Sequence, residues 1–150
     1  MRILVQVVQK ARVIVNEEVV GQIGRGFLLF VGFTLGDEEQ LVEKMAQKVL
    51  ALRLFPDAKG ATNKALDDVQ GEILSVSQFT LYGDVSNGRR PSFTKALNGQ
   101  DALKLFEEFN RTLEKVHGKI ATGVFGKAMQ VELINDGPFT LLLDSKEIYG

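Results

Sequence analysis

The sequence predicts an α+β fold in which one β-rich domain, residues 1–150, carries two main helices. Short apolar runs rich in β-branched residues open and close the chain, as in the strands of a largely antiparallel sheet. Two amphipathic segments between them have helical spacing. No Pro/Gly/Ser-rich linker, low-complexity tract or internal repeat divides the chain, so we expect a single α+β unit.

The first third of the chain predicts strands. Residues 2–8 and 12–15 alternate or run apolar, and Asn16-Glu17-Glu18 before Val19-Val20 is typical of a hairpin tip. Residues 26–33 form a continuous apolar run bounded by glycines, which indicates a strand buried on both faces at the middle of the fold.

Two helices are predicted from spacing. The first follows an acidic turn at residues 37–39, which suits the positive end of a helix dipole, and the second is expected to end at Gly118 in the left-handed conformation. The predicted apolar positions are Val42, Met45, Val49 and Leu52 in the first helix and Ala102, Leu103, Phe106, Phe109, Leu113 and Val116 in the second.

The remaining segments are assigned by exclusion and by pattern. Residues 56–70 have no sustained period and predict a long loop, residues 71–82 predict a strand, and residues 83–98 predict irregular structure. Strands near 128–134 and 139–143 close the chain.

Composition excludes several classes of function. The chain has no cysteine, which rules out disulfides and thiolate metal sites, and no apolar stretch near the ~18 residues that cross a bilayer. We therefore expect a cytoplasmic protein without membrane contact. A net charge of −1 argues against a surface that binds nucleic acid along its length, although it does not exclude binding of one nucleic-acid end.

Side chains for common hydrolytic chemistry are scarce. His117 is the one histidine and lies at a predicted helix end, and no Gly-x-Ser-x-Gly elbow is present. The acidic pairs Asp67-Asp68 and Glu107-Glu108 are best interpreted as solvated faces, since neither has a recognisable ligand spacing. The sequence therefore predicts no metal site and no cofactor.

Two distant motifs are the most informative features. One is Ser77-Gln78-Phe79-Thr80-Leu81 and the other is Asn135-Asp136-Gly137-Pro138-Phe139-Thr140. A cis peptide costs least before proline, and a Gly-Pro step can aim two backbone carbonyls the same way, as acceptors for an ammonium group. By itself Gly137-Pro138 equally fits a simple turn between two strands, and the sequence leaves the isomer open.

Together these motifs resemble the D-aminoacyl-tRNA deacylases, and the resemblance covers nearly the whole chain. Further segments that carry it are Arg12-Val13-Ile14-Val15, Gly88-Arg89-Arg90-Pro91-Ser92-Phe93, Thr122-Gly123-Val124-Phe125-Gly126 and Met129-Gln130-Val131. The resemblance implies a three-layer helix/sheet/sheet arrangement and a homodimer in which the Gly-Pro motif reaches the partner's site. It also implies cleavage of the ester between a D-amino acid and the 3′ end of tRNA, as proofreading in trans.

The resemblance assigns roles to the matching residues. It implies a catalytic segment of Ser77, Gln78, Phe79 and Thr80, in which the backbone N–H groups of Phe79 and Thr80 stabilise an oxyanion and Thr80 orients water or attacks as nucleophile. Gly137 and Pro138, as a Gly-cisPro motif, would admit a D side chain and exclude an L side chain by contact with backbone. Glycine has no side chain and should pass, which makes glycyl-tRNA mischarged on tRNA-Ala an expected second substrate.

Contacts with tRNA are less specific in the sequence. Arg89, Arg90 and Lys95 are the best candidates for phosphate contacts at the acceptor end, followed by Lys119 and Lys127. Phe93 and Phe125 are candidates to stack on the terminal adenine, or else core residues. The chain departs from the family pattern at Gln6-Val7-Val8, where relatives commonly carry Gln-Arg-Val. If that arginine normally braces the Gly-Pro turn, another residue must do so in this chain.

Two alternatives stay open at this point. One keeps the fold but acts mainly on glycine or a small L-amino acid mischarged onto tRNA, which a trans Gly137-Pro138 bond would favour. The other is a non-catalytic binder of aminoacyl-tRNA ends or of a partner protein, suggested by the lack of a strongly activated side chain.

Overall fold

The main sheet is built from six strands that come from both ends of the chain. The computed structural model describes residues 1–150. The sheet strands are β1 (Arg2–Val15), β2 (Glu18–Ile23), β3 (Gly26–Gly32), β6 (Glu72–Ser77), β7 (Ala121–Thr122) and β8 (Gln130–Asp144). The other elements are a small hairpin of β4 (Arg53–Pro56) and β5 (Thr62–Ala65) and the helices α1 (Glu39–Ala51), α2 (Gly99–Val116) and α3 (Ser145–Tyr149).

Strand β1 is the centre of the antiparallel part. One of its edges pairs with β8 over nearly its whole length, and the other pairs first with β3 and then with β2. The turn between β1 and β2 is the predicted hairpin tip, with Asn16 and Glu17 at positive φ (49° and 66°). Strands β3, β6 and β7 run parallel to one another. The sheet is therefore mixed, and β8 has one unpaired edge.

Two separate cores lie on the two faces of this sheet. The larger contains 23 buried residues and fills the space between the sheet and helices α1 and α2. The smaller contains 8 buried residues from β1, β2, β3 and β6, so the sheet curls around it. Gly21 permits this curl, because a Cβ there would lie 2.6 Å from the Thr122 carbonyl oxygen of β7. The α+β class is confirmed, with helices over one face of a nearly closed sheet.

The predicted helices are confirmed with small changes at their ends. Val42, Met45 and Val49 are buried in α1, whereas Leu52 lies just beyond its last turn. In α2 the buried positions include Leu105, which the spacing missed, and Val116 is 54% exposed rather than buried. Gly118 follows the helix at a φ of 118°, as expected of a terminating glycine.

Several strand predictions were wrong in detail. Segments 2–8 and 12–15 are one strand, β1, with register shifts near residues 8–10. The predicted loop 56–70 contains strand β5 and the 3-10 turn at residues 67–69, and β4 ends at Pro56. Strand β3 is confirmed as central and buried, with Phe27 and Leu29 facing the larger core and Leu28 facing the smaller. No helix combines the length and hydropathy that crossing a bilayer requires.

Candidate active site

The first motif lies where β6 ends. The prediction of a strand over 71–82 was wrong here, because β6 stops at Ser77 and Phe79–Tyr82 forms a 3-10 turn. The Gln78 N–H donates to the Val31 carbonyl at 2.7 Å, which anchors the start of the turn to β3. Gly32 leaves room for it, since a Cβ there would lie 2.7 Å from the Gln78 carbonyl oxygen. The chain thus leaves the sheet and exposes the residues that follow.

A cavity of about 300 Å³ opens beside this turn. Ser77, Gln78 and Phe79 line it, and Thr80 does not. The other lining residues come from the end of β3, the start of α2 and the loop before β8, namely Val31, Gly32, Phe33, Leu97, Asn98, Gly99, Ala102, Phe125 and Gly126. None of the lining side chains is ionisable. Reactive groups at this cavity are therefore backbone amides, one hydroxyl and neutral amide side chains.

The turn presents free backbone donors beside the cavity. The N–H groups of Phe79 and Thr80 have no acceptor within the turn, because its internal hydrogen bonds begin at Leu81, whose N–H donates to the Gln78 carbonyl. The Gln78 Nε2 donates to the Thr80 Oγ1 at 2.6 Å, so that hydroxyl is oriented by its neighbour. Adjacent unpaired N–H groups are the donors that stabilise an oxyanion in acyl transfer.

The aromatic candidates occupy different places. Phe79 is 46% exposed, and its ring makes an edge contact with Phe93 at 5.2 Å between centroids. Phe93 supports Phe79 and is absent from the cavity lining, whereas Phe125 lines the cavity and packs 6.1 Å from Phe106. Of the two candidates for a stacking partner, Phe125 has the suitable position.

The second motif is an excursion from β8. The predicted strands 128–134 and 139–143 are one strand, β8, in which Asn135 pairs with Val8 and Thr140 pairs with Gln6. Residues 136–139 therefore bulge out opposite Val7. The Gly137-Pro138 peptide bond is cis, and both residues are exposed. Gly137 has a φ of 138°, a conformation that glycine alone adopts readily.

Asn135 holds this excursion in place. Its Oδ1 accepts a hydrogen bond from the Phe139 N–H at 2.8 Å, and its Nδ2 donates to the Thr140 Oγ1 at 2.7 Å. The Gln6 Nε2 donates to the same Thr140 oxygen at 3.3 Å. Val7 is buried in the larger core and makes no polar contact, so an asparagine of the motif itself provides the brace that the sequence left unassigned. The sequence signal for this role was the position of Asn135 directly before the excursion.

Neither Gly137 nor Pro138 lines the cavity of its own chain. The structure therefore brings Ser77, Gln78, Phe79 and Thr80 together and leaves the Gly-Pro excursion apart from them. The free edge of β8 near the excursion carries exposed apolar side chains, with Ile134, Leu141 and Leu142 at 39–54% exposure.

The candidate phosphate contacts lie on the surface. Arg89 and Arg90 are exposed in the irregular segment after the turn, and Lys119 and Lys127 are exposed elsewhere. Lys95 pairs with Asp84 at 3.4 Å. The pKa of Asp84 is lowered to about 2, because the Ser86 hydroxyl and N–H donate to it and Lys95 lies beside it. Lys95 is thus partly neutralised, whereas the two arginines make no ion pair.

Side chains suited to metal binding do not cluster. No group of three His, Asp or Glu side chains has a geometry that could hold a metal ion. The His117 Nδ1 lies 2.8 Å from the Asp67 Oδ1 at the end of α2, outside the cavity.

Fold and cavity together define an α+β protein whose candidate site is lined by backbone, apolar and neutral polar groups. Comparison with known proteins identifies its family. Residues 4–144 match the family model described as D-Tyr-tRNA(Tyr) deacylase. A D-aminoacyl-tRNA deacylase of Lactobacillus gasseri is 51% identical over 96% of this chain and 99% of its own length, and one of Clostridium acetobutylicum is 48% identical over 99% and 100%. The chain therefore belongs to the D-Tyr-tRNA(Tyr) deacylase family, and it is a hydrolase.

Solved structures share the fold of this chain. The c-Myc DNA Unwinding Element Binding Protein superposes with a TM-score of 0.90 at 39% identity, covering 96% of this chain and 98% of that one. A probable eukaryotic D-amino acid tRNA deacylase superposes with a TM-score of 0.83 over 95% of this chain and 97% of its own, and at 18% identity it shares the fold alone.

Proposed function

We propose that this protein hydrolyses the ester between a D-amino acid and the 3′ end of tRNA at the cavity beside the Phe79–Tyr82 turn, and that it also cleaves glycyl-tRNA mischarged on tRNA-Ala. The observation that carries the proposal is the adjacent pair of N–H groups on Phe79 and Thr80, which have no acceptor within the turn, where Phe79 lines a cavity without ionisable side chains. Such a site suits a reaction whose main demand is stabilisation of a developing oxyanion.

The chemistry is an acyl transfer to water. The water oxygen bonds to the ester carbonyl carbon, the carbonyl electrons move onto oxygen, and the Phe79 and Thr80 N–H groups bind the resulting oxyanion. The ester C–O bond then breaks, and the ribose oxygen takes a proton that originates from the attacking water. One oxyanion donor contributes roughly 2.7–4 kcal/mol to transition-state stabilisation. The terminal ribose 2′-hydroxyl assists this proton transfer, since the cavity offers no side-chain base.

In this scheme the Thr80 hydroxyl orients substrate or water and does not itself attack the ester. Its oxygen accepts from Gln78 at 2.6 Å, which leaves the hydroxyl proton free to donate to substrate or water. Direct attack by Thr80 ranks below the water route, because a threonine hydroxyl without a neighbouring base is a weak nucleophile at neutral pH.

Chiral selection is assigned to Gly137 and Pro138 of a second copy of the chain. The excursion is exposed and braced by Asn135, yet it contributes nothing to its own cavity. The unpaired β8 edge with its exposed apolar residues supports a homodimer that carries the excursion into the partner's cavity. There its backbone would accept from the substrate ammonium group and exclude an L side chain, whereas a D side chain or glycine would fit.

The acceptor end of tRNA is the expected partner. Arg89 and Arg90 are exposed cations without ion pairs on the segment that follows the turn, which supports phosphate contacts there, and Lys95 would add a weaker one. A substrate of this kind supports a cytoplasmic location.

The test compares D-tyrosyl-tRNA, L-tyrosyl-tRNA and glycyl-tRNA-Ala with the purified protein, with a chelator in a parallel set. We expect rapid cleavage of the D and glycyl esters, sparing of the L ester and no effect of the chelator. Asn98→Trp should block the cavity, whereas Gln100→Trp, on the same helix start outside the lining, should not. Failure to cleave any ester would refute the proposal and favour a non-catalytic binder.

A further inference from the structure

Arg2 joins three parts of the molecule at the far end of the catalytic turn. Its Nη1 donates to the Leu81 carbonyl at 2.7 Å, and its Nε donates to the Asp144 Oδ2 at 3.0 Å. Its guanidinium carbon lies 4.6 Å from the centroid of the Tyr82 ring. One side chain therefore connects β1, the end of β8 and the last two residues of the 3-10 turn.

The two ends of this turn are fixed in different ways. Its start is anchored by the Gln78 backbone N–H on β3. Its end is held by the Arg2 side chain, and Arg2 itself pairs with Gly32 of β3, the strand to which the start of the turn is anchored. Phe79 and Thr80 lie between these two anchors. Movement of the end would rotate their N–H groups away from a common acceptor.

Asp144 fixes the guanidinium in turn. Burial opposes ionisation of this carboxyl, but the Lys146 N–H and Arg2 outweigh it and hold the pKa of Asp144 below its ordinary value. The ion pair is only partly exposed, with Asp144 at 15% and Arg2 at 33%. Arginine suits this role because its planar fork donates in two directions at once, which the single ammonium group of lysine does with poorer geometry.

We propose that Arg2 is a positioning residue for ester hydrolysis, which keeps the Phe79–Tyr82 turn in the conformation that aims the Phe79 and Thr80 N–H groups at the oxyanion. The inference rests on the proposed function of that turn. Because a displaced donor weakens transition-state binding more than ground-state binding, the effect of losing Arg2 belongs in kcat rather than in KM.

The chain provides a matched control on the same strand. Arg12 also lies on β1 and also pairs with an acid of β8, at 2.6 Å from Glu132, but it contacts no part of the turn. Any general effect of losing an arginine ion pair between β1 and β8 should therefore appear in both arginine variants. Only an effect on the turn should be specific to Arg2.

The experiment measures kcat, KM and the melting temperature for Arg2→Met, Arg2→Lys, Arg12→Met and the parent with D-tyrosyl-tRNA. We expect Arg2→Met to lower kcat at least about 10-fold with KM within about 3-fold, Arg2→Lys to restore part of the loss, and Arg12→Met to stay within about 2-fold of the parent. Amide NMR should show displaced Phe79 and Thr80 resonances in Arg2→Met alone. Should Arg2→Met fail to fold, Arg2→Lys carries the same comparison.

Two outcomes would overturn the inference. One is an Arg2→Met enzyme with the same kcat as Arg12→Met, and the other is a loss confined to KM, which would make Arg2 a substrate contact. A parent protein that cleaves no ester at all would instead refute the proposed function, and the two failures are distinguished by the parent's own activity.

Discussion

Replacing Asn135 with alanine tests whether the Gly-Pro excursion must be held in one conformation. The change removes the acceptor of the Phe139 N–H and a donor to the Thr140 hydroxyl, at 2.8 and 2.7 Å. Leaving a part-buried N–H without a partner costs roughly 1–3 kcal/mol. A cost of about 2 kcal/mol reduces the population of the braced conformation by up to about 30-fold.

The assay follows hydrolysis of D- and L-tyrosyl-tRNA under single-turnover conditions. We expect Asn135→Ala to lower kcat/KM for the D ester by about 10-fold or more and to narrow the D-over-L preference. Asn135→Asp keeps the acceptor for Phe139 and should lie between alanine and the parent. Asn63→Ala is the matched control, because Asn63 likewise accepts one side-chain hydrogen bond and donates another, on the β4–β5 hairpin. An Asn135→Ala enzyme with unchanged rate and preference would refute the bracing role.

Three further predictions follow from single sites. Gly137→Ala places a Cβ 2.9 Å from the Phe139 nitrogen at positive φ, so we expect the D-over-L preference to fall at least about 10-fold in the same assay and the melting temperature to fall by a few degrees. Gly26→Ala drives a Cβ into the β6 backbone, and thermal unfolding should register a loss of about 3 kcal/mol or more; an unaltered transition would contradict the β3–β6 packing. The Ser86 hydroxyl and N–H, and then Lys95, lower the pKa of Asp84 to about 2, so the stabilisation from these contacts is present above the unfolded pKa and lost as pH falls through about 2; NMR titration should give a higher pKa for Asp84 in Ser86→Ala.

The elements that the sequence predicted well are those with local signals. A 3.6-residue apolar period predicts both α1 and α2, with an acidic start as a further signal for α1 and Gly118 for the end of α2, and the Asn16-Glu17 turn has residues that tolerate positive φ. The glycine-bounded run became β3 because seven consecutive residues can be apolar only where both faces of a strand are covered.

The failures were at positions decided by distant contacts. Gly137-Pro138 has the local pattern of a turn between strands, and only pairing with β1 on both sides makes β8 continuous. Phe79-Thr80-Leu81 has strand character, but the turn is set by Gln78 bonding to Val31 and by Arg2 bonding to Leu81. Neither partner is visible from the local sequence. The motif residues of the candidate site were predicted from family resemblance, whereas the contacts that Arg2 and Asn135 make with these motifs are visible only in the structure.

We expect the rate of hydrolysis at this site to depend little on the protonation of the protein's side chains. The chain's one histidine, His117, lies beside Asp67 at the end of α2, and none of the cavity's lining residues is ionisable. General acid–base catalysis by a side chain normally contributes about 10²–10⁴-fold to the rate. A contribution from such a side chain would therefore be measurable as a loss of rate when the side chain is replaced. We expect His117→Asn to leave kcat/KM for D-tyrosyl-tRNA within about 2-fold of the parent at every pH from about 6 to 8. A loss beyond about 10-fold, with the fold intact by circular dichroism, would mean that a protein base takes part in ester cleavage and that backbone donors are not sufficient.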